Sequence, residues 1–289
     1  MLNLTEIAKA FDLTIVGDSS YEVQSATSLK DQYIGGICWI KDEEYLDQAA
    51  KGAFLVSASL NVSAKEGLNF LVTKESPRLV FAKILKAYFN PTYDFYLKNE
   101  VEKHRLNPDI TIGDNAFIGT NVTIGKGTVI FPNVVIEANT VVGENCVIKS
   151  HVSLGTEGLG LELNPETGLL EKFPQIGNVE LEDYVEIGPN STVRRGALMT
   201  TIVRRGTKIG SMTNVGHNCD IGENCILTSA IVISGSSVVG NNVFIGVNSA
   251  LRNGVSVGND VMVGMGSIVV KNVPDGATVF GNPAKIKGT

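Results

Sequence analysis

An aliphatic residue returns at every sixth position along the C-terminal part of the chain: Val203, Ile209, Val215, Ile221, Leu227, Ile233, Val239, Ile245, Leu251, Val257, Val263 and Val269. A helix would repeat near 3.6 residues and an ordinary strand at 2. A period of six held over so many positions instead predicts a hexapeptide solenoid, a parallel β-helix with three hexads to each coil of about 18 residues. One coil has no interior of its own, so the core exists only between stacked coils. The same register is set earlier by Ile112, Ile118, Ile124, Ile130, Ile136, Val142, Ile148 and Leu154, with Gly, Asn and Asp between them where tight corners need positive φ.

The pattern breaks twice. Residues 155–178 carry no hexads, and a connection of that length inside a compact fold is usually functional or disordered. The register resumes at Leu181, Ile187, Val193 and Met199, then slips by two before Val203. A smooth prism wall offers no pocket, so the two breaks are expected to bracket the site.

The first hundred residues show no hexads and predict a small α/β domain. A short amphipathic helix capped by Thr5 runs to Phe11, strands fit residues 13–16, 36–40, 53–58 and 69–73, and Ser76-Pro77 opens a helix to about Phe89. The expected organisation is an α/β domain at 1–100, a connector at 101–108, and the solenoid at 109–289 with its loop at 155–178 and a short tail. The fold class is mainly β, a parallel β-helix with a small N-terminal α/β domain; period alone leaves the handedness open.

Composition narrows the function. A formal charge of −6 with only 19% charged residues argues against nucleic acid as the main partner. No apolar run reaches membrane-span length and the N-terminus lacks a signal-peptide pattern, so a cytoplasmic protein without an integral membrane segment is expected. The four cysteines, Cys38, Cys146, Cys219 and Cys225, form no CxxC. The last three each fall four places after an inward aliphatic, in a slot for a small buried side chain, and core packing explains them better than catalysis or a disulfide.

Candidate chemistry centres on Val215-Gly216-His217-Asn218. His217 stands two places past an inward valine, so it is expected at a corner, facing outward, where a neighbouring subunit could complete a cleft. The alternative is an ordinary exposed or interface histidine. Asn218 would orient the donor or the sugar, or simply turn the corner; Asp220 or Glu186 would orient the imidazole, or be solvated. A zinc site of the kind carbonic-anhydrase solenoids use needs three converging histidines. Here His151 and His217 are separated by the insertion and about two coils, so no metal is expected.

At this point the residues match a family. The segments Gly155 to Gly177, Val185-Glu186-Ile187-Gly188, Arg195-Gly196-Ala197-Leu198 and Gly216-His217-Asn218 together resemble the UDP-3-O-acylglucosamine N-acyltransferases of lipid A biosynthesis and related nucleotide-sugar N-acyltransferases. The resemblance implies a homotrimer of left-handed β-helices, with sites between subunits and His217 as general base. It also implies that Trp39 and Tyr45 sandwich a uracil, with Asp42 between them where the family tends to carry Asn; otherwise Trp39 is core. Gly235, one coil beyond His217, is the expected backbone donor to an oxyanion. Two features depart from the family. The chain runs to Gly281-Asn282-Pro283-Ala284-Lys285, which looks like the tail of acetyl-CoA-dependent hexapeptide enzymes and makes Lys285 and Lys287 candidates for CoA phosphates, or solvated tail residues. Residues 252–255 read Arg-Asn-Gly-Val where the family has its second histidine. The expected reaction is acyl transfer from CoA or acyl carrier protein to the amine of a UDP-linked amino sugar, with no tightly bound cofactor. The alternatives are the lipid A enzyme proper, fed by long-chain acyl carrier protein, and a non-catalytic structural or binding solenoid.

Overall fold

The computed structural model describes residues 2–89 and 109–287; the expected connector at 101–108 lies outside them. The chain divides into two compact units, Met1–Asn90 with Leu159–Ile176, and Pro91–Gly158 with Gly177–Thr289. The middle of the first interruption therefore packs with the N-terminal residues, whereas the sequence assigns it to the solenoid.

In the first unit, helix α1 (Leu4–Phe11) opens on Asn3, whose side chain accepts from Glu6 N–H while Glu6 accepts from Asn3 N–H, a reciprocal capping box. Thr5, expected as the cap, lies inside the helix because asparagine two places earlier satisfies the orphan donors. Five strands, β1 (Thr14–Val16), β2 (Ser25–Ala26), β3 (Gly36–Trp39), β4 (Gly52–Ser57) and β5 (Leu68–Thr73), form one sheet in the order β1-β5-β4-β3-β2. β2 to β5 run parallel and β1 antiparallel. Helix α2 (Pro77–Ile84) is capped by Ser76 through Leu79 N–H and passes into a π-helical turn, Leu85–Phe89, so the α-helix is shorter than its apolar stripe suggests. Residues 159–176 are not a featureless loop. Leu161–Leu163 and Leu170–Lys172 pair as an antiparallel hairpin.

The second unit is the β-helix. Its three walls start at Thr111–Ile112 (wall 1), Phe117–Ile118 (wall 2) and Thr123–Ile124 (wall 3), and each continues through strands of two to four residues paired in parallel with the coil before and after. Within each pair one residue points in, and the inward column is almost completely buried from Ile118 to Val279. Corners are turned mainly by left-handed asparagines, among them Asn121, Asn139, Asn218, Asn224, Asn242 and Asn248. Small polar side chains fill the slot behind them and hydrogen-bond across coils: Thr207 Oγ1 donates to Gly222 O (2.7 Å) and accepts from Cys225 N–H (2.9 Å). All four cysteines are buried and unbridged.

Strand register locates the second break. Leu154 pairs with Val193 on wall 2, and Leu181 pairs with Val203 on wall 3. Ten residues thus separate Val193 from Val203 where six separate Val215 from Ile221. Met199 is not a rung of the register as the spacing suggests; it belongs to a bulge of four surplus residues. Both interruptions leave from wall 2 and rejoin at wall 3, so they stack on one corner.

Candidate active site

His217 occupies that same corner, in the first coil after the bulge. Three successive coils therefore place Gly155–Gly158, the bulge after Arg195, and His217 along one edge. Thr200 to Val203 pairs with Asn178 to Leu181, which holds the bulge in place. Gly177 N–H donates to Gly196 O (3.1 Å), and Gly196 N–H to Asn178 O (3.1 Å). A side-chain carbon at Gly196 would lie 1.9 Å from Met199 O, so the bulge closes this tightly only with glycine.

Beneath the bulge Arg195 is fully buried. Its guanidinium donates to Gly155 O, to Ala138 O (3.3 Å) and to Glu137 Oε2 (3.3 Å), pinning the start of the first interruption to the coil below. Arg194, beside it, donates to Glu157 O (2.9 Å) and Asn214 Oδ1 (3.2 Å). Sequence reasoning missed both. The signal was an arginine pair at the point where the register slips.

The half-buried imidazole of His217 has Asn218 as its neighbour at Nδ1, with Nδ2 at 3.0 Å. Asn218 in turn accepts Ala197 N–H at Oδ1 (2.8 Å), and its own N–H donates to Thr201 Oγ1 (2.8 Å). The group at Nδ1 is thus an amide, and both carboxylates named as candidates for orienting the ring lie beside cations instead. Asp220 takes both ends of the Arg204 guanidinium at 2.8 Å, a hydrogen bond that raises the pKa of Arg204, and Glu186 lies 3.8 Å from Lys149.

Gly235 stands one coil above His217. A side-chain carbon there would come within 2.6 Å of His217 Nε2 and 2.8 Å of Cε1, so the missing side chain is the space the ring fills. The carbonyl of Gly235 accepts Gly254 N–H (3.0 Å), and among the described residues its N–H enters no ladder bond. Cys219, next to Asn218, donates its thiol to Ser234 O (3.3 Å), and burial pushes its pKa up to about 11, which keeps it a neutral packing group.

A groove of about 390 Å³ opens at a different corner, between walls 1 and 2, lined by Lys149, Glu186, Lys208 and Ile226 among others. Lys285 and Lys287 are exposed at the last hairpin, where Lys285 pairs with Phe280.

In the first unit, Trp39 closes β3 at the carboxyl edge of the parallel strands, where ligands of open α/β sheets usually bind. Its ring is half-exposed, with the Arg78 guanidinium 6.0 Å from the centroid. Arg78 pairs with Glu162 of the hairpin and lies 5.0 Å from the Phe173 ring; burial lowers its pKa. Tyr45, on the 3-10 turn Glu43–Gln48, packs against the cluster of Cys38, Ile40, Phe54, Val56 and Phe70, and Asp42 is exposed at the start of that turn. Alternation along β3 puts Trp39 and Cys38 on opposite faces of the strand, so the two rings approach the strand end from different sides.

Comparison with known proteins agrees with this architecture. Residues 121–156 match the bacterial transferase hexapeptide (six repeats) family and residues 237–271 match the hexapeptide repeat of succinyl-transferase. The UDP-3-O-acylglucosamine N-acyltransferase of Coxiella burnetii (strain RSA 493 / Nine Mile phase I) is 34% identical over 235 residues, covering 73% of this chain and 68% of that protein. The enzyme of the same name from Campylobacter concisus (strain 13826) is 37% identical over 227 residues, covering 73% and 71%. Among solved structures, LpxA from Acinetobacter baumannii superposes with a TM-score of 0.55 at 25% identity, covering 63% of this chain and 71% of that one. A Francisella novicida UDP-N-acetylglucosamine acyltransferase gives 0.56 at 22%, covering 63% and 67%, and supports the fold alone. The β-helix is left-handed, as in these neighbours.

Proposed function

The chain belongs to the UDP-3-O-acylglucosamine N-acyltransferase family, and from that membership and the His217 corner we propose that it transfers an acyl group from a thioester to the amine of a UDP-linked amino sugar. The observation that carries the reading is the stacking of both interruptions and His217 on one edge of an otherwise uniform prism. Amide formation from a thioester needs a neutral amine, an acceptor for its proton and donors for the tetrahedral oxyanion. His217 is the acceptor, since an imidazole ordinarily titrates near neutrality. As the amine nitrogen bonds to the thioester carbon, its proton passes to the imidazole. The intermediate collapses by breaking the carbon–sulfur bond, and the imidazolium returns the proton to the departing thiolate. Gly235 N–H supports the oxyanion, because it borders the ring and its carbonyl is the end already used.

Trp39 and Tyr45, with Asp42 beside them, hold the uridine end of the substrate. The donor is an acyl-CoA or an acyl carrier protein thioester, with Lys285 and Lys287 available to CoA phosphates. The active form is a homotrimer. Ile226, Phe244 and Met262 support this, lying one above another on wall 1 and 51%, 38% and 51% exposed, apolar surface that association would cover.

The reading is tested by His217→Ala, assayed with acetyl-CoA and a long-chain acyl carrier protein thioester against UDP-amino sugars. Turnover should fall about 10²- to 10⁴-fold with the fold unchanged by circular dichroism. Near-normal turnover overturns the base assignment. Because Trp39 is the only tryptophan, UDP should quench the protein's fluorescence, and an unchanged signal with nucleotide bound overturns the stacking.

A further inference from the structure

The Asn218 amide is held at both ends. Ala197 N–H donates to Oδ1 at 2.8 Å, and that bond decides which end of the amide is oxygen. The NH₂ end must then face the imidazole, where Nδ2 lies 3.0 Å from Nδ1. A hydrogen bond there needs an unprotonated Nδ1, so the neutral imidazole carries its proton on Nε2. Such a ring has no lone pair at Nε2 with which to take a proton, and a second proton at Nδ1 would point into an NH₂ group, donor against donor.

We propose that Asn218 is a positioning residue that acts as a two-position switch for the tautomer of His217. In the position seen here Oδ1 is on Ala197 and the imidazole rests as Nε2–H. Half a turn about the Cβ–Cγ bond of Asn218 exchanges Oδ1 and Nδ2. Oδ1 then accepts from Nδ1–H and the lone pair appears at Nε2, while Nδ2 turns toward Ala197 N–H, donor against donor, which makes this the higher-energy of the two positions. One proton moves between the two ring nitrogens through water, and nothing is oxidised or reduced. The bulge that carries Ala197 is thereby part of the proton chemistry, since its N–H competes with His217 for a single amide oxygen. This deepens the reading of His217 as the base and rests on it.

Nitrogen-15 NMR of the full-length protein labelled at histidine reads the tautomer directly. The chain has three histidines, and His217→Ala identifies the signal of interest. The wild type should show a pyridine-type shift at Nδ1 and a pyrrole-type shift at Nε2. In Asn218→Asp a carboxylate accepts from Ala197 N–H and Nδ1–H together, so the shifts should invert and kcat should equal or exceed that of the wild type. Asn218→Gly removes both bonds while suiting the backbone, which has φ of 57°; kcat should fall about tenfold or more, roughly 1.4 kcal/mol, with KM for the sugar unchanged. A pyrrole-type Nδ1 in the wild type overturns the switch, as does an Asp variant as impaired as the Gly variant. Near-normal turnover in His217→Ala would overturn the base but not the tautomer, which the nitrogen shifts report independently of activity.

Discussion

Asn121 and Asn139 sit in the regular first coils, and Asn218 sits in the coil above the bulge; all three turn the same corner in the same left-handed conformation. In the regular coils the amides engage one another, Asn121 Nδ2 donating to Asn139 Oδ1 at 3.3 Å. At Asn218 the next rung offers Ser236 instead, and the amide reaches sideways to Ala197 and His217. The backbone requirement is identical in both places. What differs is the chain lying across the corner, so the chemistry of this solenoid is set by its irregularities and its corner residues are only the raw material.

The comparison is sharpened most by Gly235→Ala. The corners at Asn121 and Asn139 present no imidazole to displace, but here a methyl group would meet the imidazole edge at 2.6 to 2.9 Å. Turnover should fall about ten- to a hundredfold, 1.4 to 2.7 kcal/mol, with little change in melting temperature; an unaltered rate would mean that the ring has room to move without consequence. The next test uses the slot behind each corner, which holds Val122 and Thr140 in the regular coils and Cys219 at the site. Burial raises the Cys219 thiol to about 11 and the Cys38 thiol to about 12. A folded pKa above the unfolded one means that the folded state keeps its protons longer. Stability should therefore be intact below pH 9 and decline as pH rises from about 9 through 11 to 12. Urea melts across that range should show the decline weakened in Cys219→Ala, and an identical pH slope in both proteins would refute the assignment. The smallest effect is expected for Asn139→Gly, which satisfies the same backbone at a half-buried corner away from the site; its stability should change by less than about 0.5 kcal/mol with turnover unchanged. A loss of activity there would erase the distinction between the two kinds of corner.

The inward column was legible in the sequence because burial on strands of only two to four residues leaves one aliphatic side chain per hexad facing the core, and Val203, Val215, Ile221 and Ile233 are completely buried. The cysteine slots were legible for the same reason. Met199 was misread because a chance aliphatic at the sixth position imitates a rung when counted along the chain; only pairing with Leu181 shows that Val203 is the next rung. Arg195 was invisible as a core residue, since arginine is normally a surface residue and its burial depends on Gly155, Ala138 and Glu137 far away in sequence. The corner position of His217 followed from the hexads, but its tie to Asn218 did not. That tie exists because of a backbone N–H twenty-one residues away in the sequence.

The two interruptions also say something about how such a chain can be altered. Leu154 still meets Val193, and Leu181 still meets Val203, however much chain intervenes. Each excursion returns to the rung it would have reached directly, so its length is uncoupled from the scaffold's geometry. The corner between walls 2 and 3 can therefore lengthen without re-threading a single rung, although residues 159–176 are tied to the N-terminal unit and Arg195 to Gly155, Ala138 and Glu137.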